Sequence, residues 1–181
     1  MEEKMQTSTL ATLSDLQVSA LKDSKLGMKF GNIRGNGAQI HFKLDCLHIP
    51  FEPSVYNGTG AELRKGILLE ISEADAVALL AFEEKVRQLT GLALDKWNSC
   101  VRQHDGNWRL KAKINMGGER ACFFADGSPS SLRGCAAVAV VSVNGLYVQR
   151  QVSGLALDVV ALRVGAKVTP DPPVWMKSLG F

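Results

Sequence analysis

A short segment of the chain alternates between charged and apolar side chains, and it reads Trp108-Arg109-Leu110-Lys111-Ala112-Lys113-Ile114. In an extended strand, side chains two residues apart point to the same face, so the three cations share one face and the apolar residues share the other. Like charges on one face repel each other. A nucleic-acid backbone would compensate them. The alternative is the solvated outer face of an edge strand, where lysines discourage aggregation.

Composition places the chain among ordinary globular proteins. Its 181 residues are 46% hydrophobic and 22% charged, which suffices for one domain with a sizeable core. No apolar run approaches the roughly 20 residues that cross a bilayer, and residues 1–4 lack the basic and then apolar pattern of a secretory signal. We therefore expect no membrane partner and an intracellular location.

The charge is unevenly distributed along the chain. Residues 1–95 carry 10 Lys and Arg against 13 Asp and Glu, a net charge of −3, whereas residues 96–167 carry 10 against 4, a net charge of +6. Such an asymmetry indicates a directed electrostatic surface on the second half of the chain.

Residues typical of catalysis or metal binding are scattered. The sequence has no Gly-x-Ser-x-Gly elbow and no phosphate-binding Gly-x-x-x-x-Gly-Lys loop. The cysteines and histidines lack the spacing of zinc or redox sites and stand at Cys46, Cys100, Cys122, Cys135, His41, His48 and His104. We therefore expect no catalytic residues, no metal, no cofactor and no enzyme activity, with reduced and mostly buried thiols.

The first half of the chain predicts a hairpin, a strand and a helix. Residues 29–34 and 38–44 flank Asn36-Gly37, a dipeptide typical of a tight turn. Residues 66–71 read as a buried strand. Ser72 as an N-cap and Gly91 as a stop predict a helix over 73–90, with Glu83 and Arg87 paired on its exposed side.

The second half predicts further strands. Residues 120–125 read as extended, and residues 136–143 and 146–152 flank Asn144-Gly145, which predicts a second hairpin. Gly154 predicts a bulge or bend before a strand over 155–164. Several strands and one long helix favour a mostly antiparallel sheet curled into a small barrel.

Planar side chains beside the cations would supply base stacking. The candidates are Phe30, His41, Trp108, Phe123, Phe124 and Tyr147, although any one of them could instead belong to the core. Phe123 and Phe124 are adjacent, so in a strand they point to opposite faces. Arg120 follows two glycines in a segment that is either a phosphate-binding loop or a turn. The predicted nucleic-acid-binding residues are Arg109, Lys111, Lys113, Phe123, Phe124, Tyr147, Arg120, His41 and Lys43.

The order of elements resembles single-stranded-DNA-binding proteins of the oligonucleotide-binding (OB) fold from phages and large DNA viruses. The resemblance covers about residues 28–165 and rests on four features: Ile49-Pro50-Phe51, a helix that leads into Lys96-Trp97, the basic strand and Gly154-Leu155. It implies a mostly β (β-rich α+β) fold, an OB-like antiparallel barrel with one long helix and flexible termini. The implied domains are an arm over 1–27, an OB-like domain over 28–167 and a Pro-rich aromatic tail over 168–181.

The resemblance also implies a function and partners. It implies binding of single-stranded DNA, with RNA as the alternative polymer, in replication, recombination or repair within the cytoplasm or nucleus of a host cell. Many such proteins end in an acidic tail, whereas residues 169–181 hold one acidic and one basic residue. We expect this aromatic tail to contact replication or recombination proteins or another subunit of a homo-oligomer. A structural or assembly protein, with the basic sheet and the tail as protein contacts, is the alternative function.

Overall fold

In the computed structural model, residues 15–23, 27–55 and 63–168 are described, and they form one long helix and eleven strands. The helix α1 spans Glu73–Thr90, and a short 3-10 helix follows at Leu94–Lys96. The strands are β1 Leu16–Val18, β2 Lys22–Asp23, β3 Met28–Gly31, β4 Ile33–Gly35, β5 Ala38–His48, β6 Arg64–Ile71, β7 Val101–His104, β8 Asn107–Asn115, β9 Phe123–Phe124, β10 Cys135–Gln149 and β11 Val152–Lys167. The prediction of a mostly β fold with one long helix is confirmed.

Five strands close a ring around the core in the order β5, β6, β8, β11, β10 and back to β5. Inward residues such as Leu69, Leu110 and Leu162 are at most 1% exposed. The ring is not a regular barrel, because β8 and β11 are joined by one short pairing over Lys113–Ile114 and Asp158–Val159. That pairing is parallel, as is the pairing of β9 with β11, so the sheet is not antiparallel throughout.

A four-stranded extension of the sheet projects from the ring, and we call it the wing. It consists of β2, β3, residues 146–149 of β10 and the start of β11. The rest of β10 pairs with β5, so β10 leaves the ring partner at Val143 and meets the wing partner at Leu146. The wing overhangs the outer face of β8 and thereby creates a groove.

The predicted second hairpin turn at Asn144-Gly145 is wrong. These residues lie inside β10, and the chain turns at Arg150 and Gln151. A Cβ on Gly145 would lie 2.3 Å from the carbonyl oxygen of Gly31 and 2.8 Å from the Phe30 ring. Glycine is required there because β3 approaches closely, and the same lack of a side chain that suits a tight turn also suits this contact.

The first predicted turn, at Asn36-Gly37, is confirmed between β4 and β5, and both residues have the positive φ angles that this turn needs. Residues 29–34 do not form one hairpin strand, since β3 and β4 are separate and β3 pairs with β10. Residues 120–125 contain only the two-residue strand β9. Strand β7 was not predicted from the sequence, and it forms a hairpin with β8 around Asp105 and Gly106.

Helix α1 has the predicted bounds and caps. The Ser72 hydroxyl accepts a hydrogen bond from the backbone N–H of Asp75 at 3.1 Å, and Gly91 closes the C-terminus in the left-handed conformation. The predicted exposed pair of Glu83 with Arg87 is wrong, because Glu83 is buried at 3% exposure and Arg87 pairs with Glu84 at 2.6 Å. The pattern of apolar residues along the helix predicts Glu83 on the exposed side, whereas the structure places it on the buried side.

Residues assigned to the N-terminal arm include β1 and β2, which pair with β4 and β3. Residues 1–14 of that arm and residues 169–181 of the aromatic tail lie outside the described residues, as do 24–26 and 56–62. The predictions made for the tail therefore remain predictions.

Candidate nucleic-acid interface

A groove of about 460 Å³ lies between the outer face of β8 and the wing. Lys111 and Lys113 line one side, together with Arg64 from the start of β6. The wing lines the other side with Met28, Phe30, Tyr147 and Gln149. The groove thus places cations opposite aromatic rings, although these residues are far apart in sequence.

The basic side of the groove follows from the alternation on β8. Leu110 and Ile114 are fully buried, whereas Lys111 and Lys113 are exposed. The ion pairs formed by the described residues include neither lysine. Neither side chain has an ion-pair partner among the described residues, so both can attract an anionic ligand.

The third cation of the groove, Arg64, is already engaged. Its guanidinium donates to a carboxylate oxygen of Asp158 at 2.6 Å, and the other oxygen of Asp158 accepts from the amide nitrogen of Asn144 at 2.6 Å. The Arg64 side chain remains 53% exposed. Asp158 thus fixes Arg64 at the rim and has its own charge compensated in doing so.

The aromatic side of the groove depends on a close fit between Tyr147 and its neighbours. Tyr147 lies directly opposite Phe30 on β3 and Gly154 on β11, and both rings are half-buried. A Cβ on Gly154 would lie 2.8 Å from the Tyr147 hydroxyl and 2.8 Å from the carbonyl oxygen of Asn98. The β10–β11 register is continuous at Gly154, so the predicted bulge there is wrong. Glycine at this position instead makes room for the tyrosine.

Residues 98–100 form the end of the groove and are held by α1. Asn98 donates a hydrogen bond to the Tyr147 hydroxyl at 3.0 Å. The buried carboxylate of Glu83 accepts from the Ser99 hydroxyl at 2.6 Å and from the backbone N–H of Cys100 at 2.7 Å. Burial, and secondarily the nearby charge of Glu83, raises the pKa of the Cys100 thiol well above its usual value. This thiol is therefore neutral and structural.

Arg109, the first cation of the predicted ladder, lies outside the groove. Its guanidinium contacts a carboxylate oxygen of Glu70 through two nitrogens, at 3.0 and 3.1 Å, and stands 5.8 Å from the centroid of the Phe51 ring. Only 15% of its side chain is exposed. The charge of Arg109 is thus compensated within the protein.

Three further predicted site residues also lie away from the groove lining. His41 and Lys43 are on the outer face of β5, opposite Ser142 and Val140 of β10. Arg120 is exposed in the connection between β8 and β9. The structure therefore brings Lys111, Lys113 and Tyr147 together and leaves these three on other parts of the surface.

Phe123 and Phe124 point to opposite faces, as predicted. Phe124 lies beside the buried Leu162 and packs against the core, whereas Phe123 lies beside Ala161 and is 66% exposed. Phe123 does not line the groove, but it stands on the same edge of β11 as Lys113.

Three residues that line the groove were not among the predicted site residues: Phe30, Arg64 and Asn98. Phe30 was one of several aromatic candidates, and only the pairing of β3 with β10 distinguishes it from the others. Arg64 begins a strand next to a polar segment, which is a weak signal. Nothing in the local sequence around Asn98 indicates its contact with Tyr147.

The part of the chain that the structure describes was also expected to hold no metal and to have no membrane partner. Its side chains include no group of three or more His, Cys, Asp or Glu residues that could hold a metal ion. Its one long helix is not apolar enough to cross a membrane.

No family model and no curated protein matches the chain. Among solved structures, the chain is similar to a C-terminally truncated single-stranded DNA-binding protein from bacteriophage Enc34. The TM-score is 0.47 and the sequence identity is 10%, with 87% of this chain and 98% of that chain covered. That protein is of the class that the order of elements resembles, and a likeness at this level establishes neither a shared fold nor a shared function.

Proposed function

We propose that this protein binds single-stranded DNA in the groove between β8 and the wing. The observation that carries the proposal is the groove itself, in which two uncompensated lysines face the rings of Phe30 and Tyr147. Single-stranded nucleic acid offers both matching parts, a phosphate backbone for the cations and unpaired bases for the rings. A duplex hides the faces of its bases within the stack and could use only the cations.

The proposed role follows from sequence-tolerant binding. A protein that holds a single strand by backbone contacts and stacking suits replication, recombination or repair, inside the cytoplasm or nucleus of a host cell. The proposal assigns it no catalytic step. RNA is the alternative polymer, because backbone contacts and stacking are available to both.

Competition binding tests the proposal. A fluorescent single-stranded DNA would be displaced by unlabelled single-stranded DNA, RNA or duplex DNA of equal length. We expect single-stranded DNA to compete at least tenfold better than duplex DNA, since stacking contributes about 1–3 kcal/mol per base. If duplex DNA competed equally well, the cations alone would account for binding, and this result would contradict the proposal.

A protein-contact function is the second candidate, and a separate surface favours it. Leu47 and Phe51 are 56% and 53% exposed, and they flank the Glu70–Arg109 pair. An exposed apolar patch with a polar rim is typical of a protein contact surface. Replacing Leu47 and Phe51 by serine should abolish self-association in sedimentation experiments if this surface mediates assembly, without changing DNA affinity.

A further inference from the structure

The outer face of β11 continues beyond the groove. Strands β8 and β9 both pair in parallel with the edge of β11 that β10 leaves free, and Lys113 lies opposite Asp158 while Phe123 lies opposite Ala161. Residues paired across neighbouring strands point to the same face of the sheet. Lys113 and Phe123 therefore flank one continuous face of β11.

The outer face of β11 carries small side chains next to the groove, and an aromatic ring and a cation lie at its far end. Ala156 lines the groove, and Ala161 follows it on the same face because the register between β10 and β11 shifts at Val160, where β11 has one extra residue. Asp158 lies between the two alanines, but its carboxylate is already bound by Arg64 and Asn144. Beyond Ala161, Arg163 is exposed and has only a long contact of 4.0 Å to Asp126.

The exposure of Phe123 is unexplained by the fold. Its neighbour Phe124 satisfies the core, whereas the Phe123 ring is 66% exposed and forgoes the free energy of burial. A half-buried or exposed ring next to cations is the arrangement on which bases stack.

We propose that a bound single strand leaves the groove along the outer face of β11 and that one of its bases stacks on Phe123. This inference rests on the proposed function and adds the length of the single strand that the protein contacts. Gly154, opposite Tyr147, and Ala161, opposite Phe123, are seven residues apart along β11, and one of these steps is the extra residue Val160. The remaining six steps are about 20 Å at the usual rise of a strand. A stacked strand advances about 3.4 Å per nucleotide, so about six nucleotides connect the two rings.

Affinity measured against oligonucleotide length tests this path. The wild type and Phe123→Ala would be titrated with oligothymidylates of about 4 to 16 nucleotides. We expect the wild type and Phe123→Ala to have the same affinity for the shortest strands. For the longest strands we expect the affinity of Phe123→Ala to be about 5- to 150-fold lower, which corresponds to one lost stacking contact. Phe123→Trp keeps an aromatic ring and should restore the affinity for long strands. Because Phe123 is exposed, the melting temperature of both variants should be unchanged.

Two outcomes would overturn the path. Identical affinities of Phe123→Ala and the wild type at every length would remove Phe123 from the interface, and an equal loss at every length would place it within the groove site. Loss of all binding on removal of Lys111 and Lys113, with no effect of Phe123→Ala, would overturn only this inference. A wild type that binds no oligonucleotide of any length would overturn the proposed function as well.

Discussion

Arg109 and Lys111 occupy the same face of one strand, yet their surroundings differ. Arg109 is held by Glu70 and Phe51, whereas Lys111 faces the groove. We expect Arg109→Ala to lower the free energy of unfolding by about 1–3 kcal/mol, because it leaves the half-buried Glu70 carboxylate without its guanidinium partner. Lys111→Ala should change stability by less than about 0.5 kcal/mol and should weaken oligonucleotide binding.

Chemical denaturation and an oligonucleotide titration of both single variants would measure this contrast. The two results should be opposite, with stability lost in one variant and affinity lost in the other. An Arg109→Ala protein of unchanged stability but weakened binding would show that Arg109 belongs to the interface after all.

Gly145 is the residue that most clearly departs from its local signal. Gly145→Ala would force a Cβ against the Gly31 carbonyl and the Phe30 ring, and we expect a loss of about 1–3 kcal/mol in the free energy of unfolding, as for other overpacked sites. Gly165→Ala is the matched control, because the nearest atom to its Cβ would be an ordinary 3.4 Å away. Urea denaturation of both variants would decide, and equal stabilities would contradict the close approach.

The cysteines provide a test of burial at the level of single thiols. Burial raises the pKa of Cys46 to about 12 and the pKa of Cys122 to about 11. Since the thiolate is the reactive form, both should react slowly with a thiol reagent at pH 8 in the native protein and rapidly in denaturant. Mass spectrometry would locate the labels, and rapid native labelling of either residue would contradict the packing around it.

At the level of elements, α1 both covers the core and fixes one end of the groove through Glu83. Glu83→Ala would remove the acceptor for the Ser99 hydroxyl and for the Cys100 N–H. We expect a loss of about 1–3 kcal/mol in the free energy of unfolding, because a buried donor is left unsatisfied. Weaker oligonucleotide binding should accompany it, since Glu83 holds the segment from which Asn98 donates its hydrogen bond to the Tyr147 hydroxyl.

Glu84→Ala is the control on the neighbouring residue. Glu84 pairs with Arg87 on the helix surface, and such exposed pairs contribute about 0–1 kcal/mol. Thermal melts of the two variants should therefore differ clearly. Equal losses would mean that the buried position of Glu83 has no energetic consequence.

Elements with strictly local causes could be predicted from the sequence. The caps at Ser72 and Gly91 fixed α1, and the alternation on β8 separated Lys111 from Leu110 correctly. The predicted hairpin turn at Asn144-Gly145 was wrong because a glycine that permits a turn also permits a close contact between strands. The predicted exposure of Glu83 was wrong because its hydrogen-bond partners follow it by 16 and 17 residues, and no local sequence pattern indicates them.

At the scale of the whole molecule, the mostly β class followed from patterning, whereas the groove depends on pairings distant in sequence. The wing forms because β3 pairs with the end of β10, more than 100 residues later. This pairing places Phe30 beside Tyr147. The pairing of β8 with β11 closes the ring of five strands. Residue types alone could nominate Lys111, Lys113 and Tyr147, but they could not separate them from Arg109, His41 and Lys43.

We expect Lys111 and Lys113 to neutralise phosphates of a single strand in the groove. The dependence of oligonucleotide affinity on salt measures this, compared between the wild type, Lys111→Ala/Lys113→Ala and the control Lys85→Glu. Lys85 lies on the exposed side of α1, away from the groove and from β11, and its replacement by glutamate changes the net charge as much as the two alanines do.

Each neutralised phosphate of a single strand contributes about 0.7 to the slope of log affinity against log salt. The groove variant should therefore lose about 1.4 from the magnitude of that slope, while the control keeps the wild-type value. An unchanged slope for the groove variant, or an equal loss in the Lys85→Glu control, would contradict this role of the two lysines.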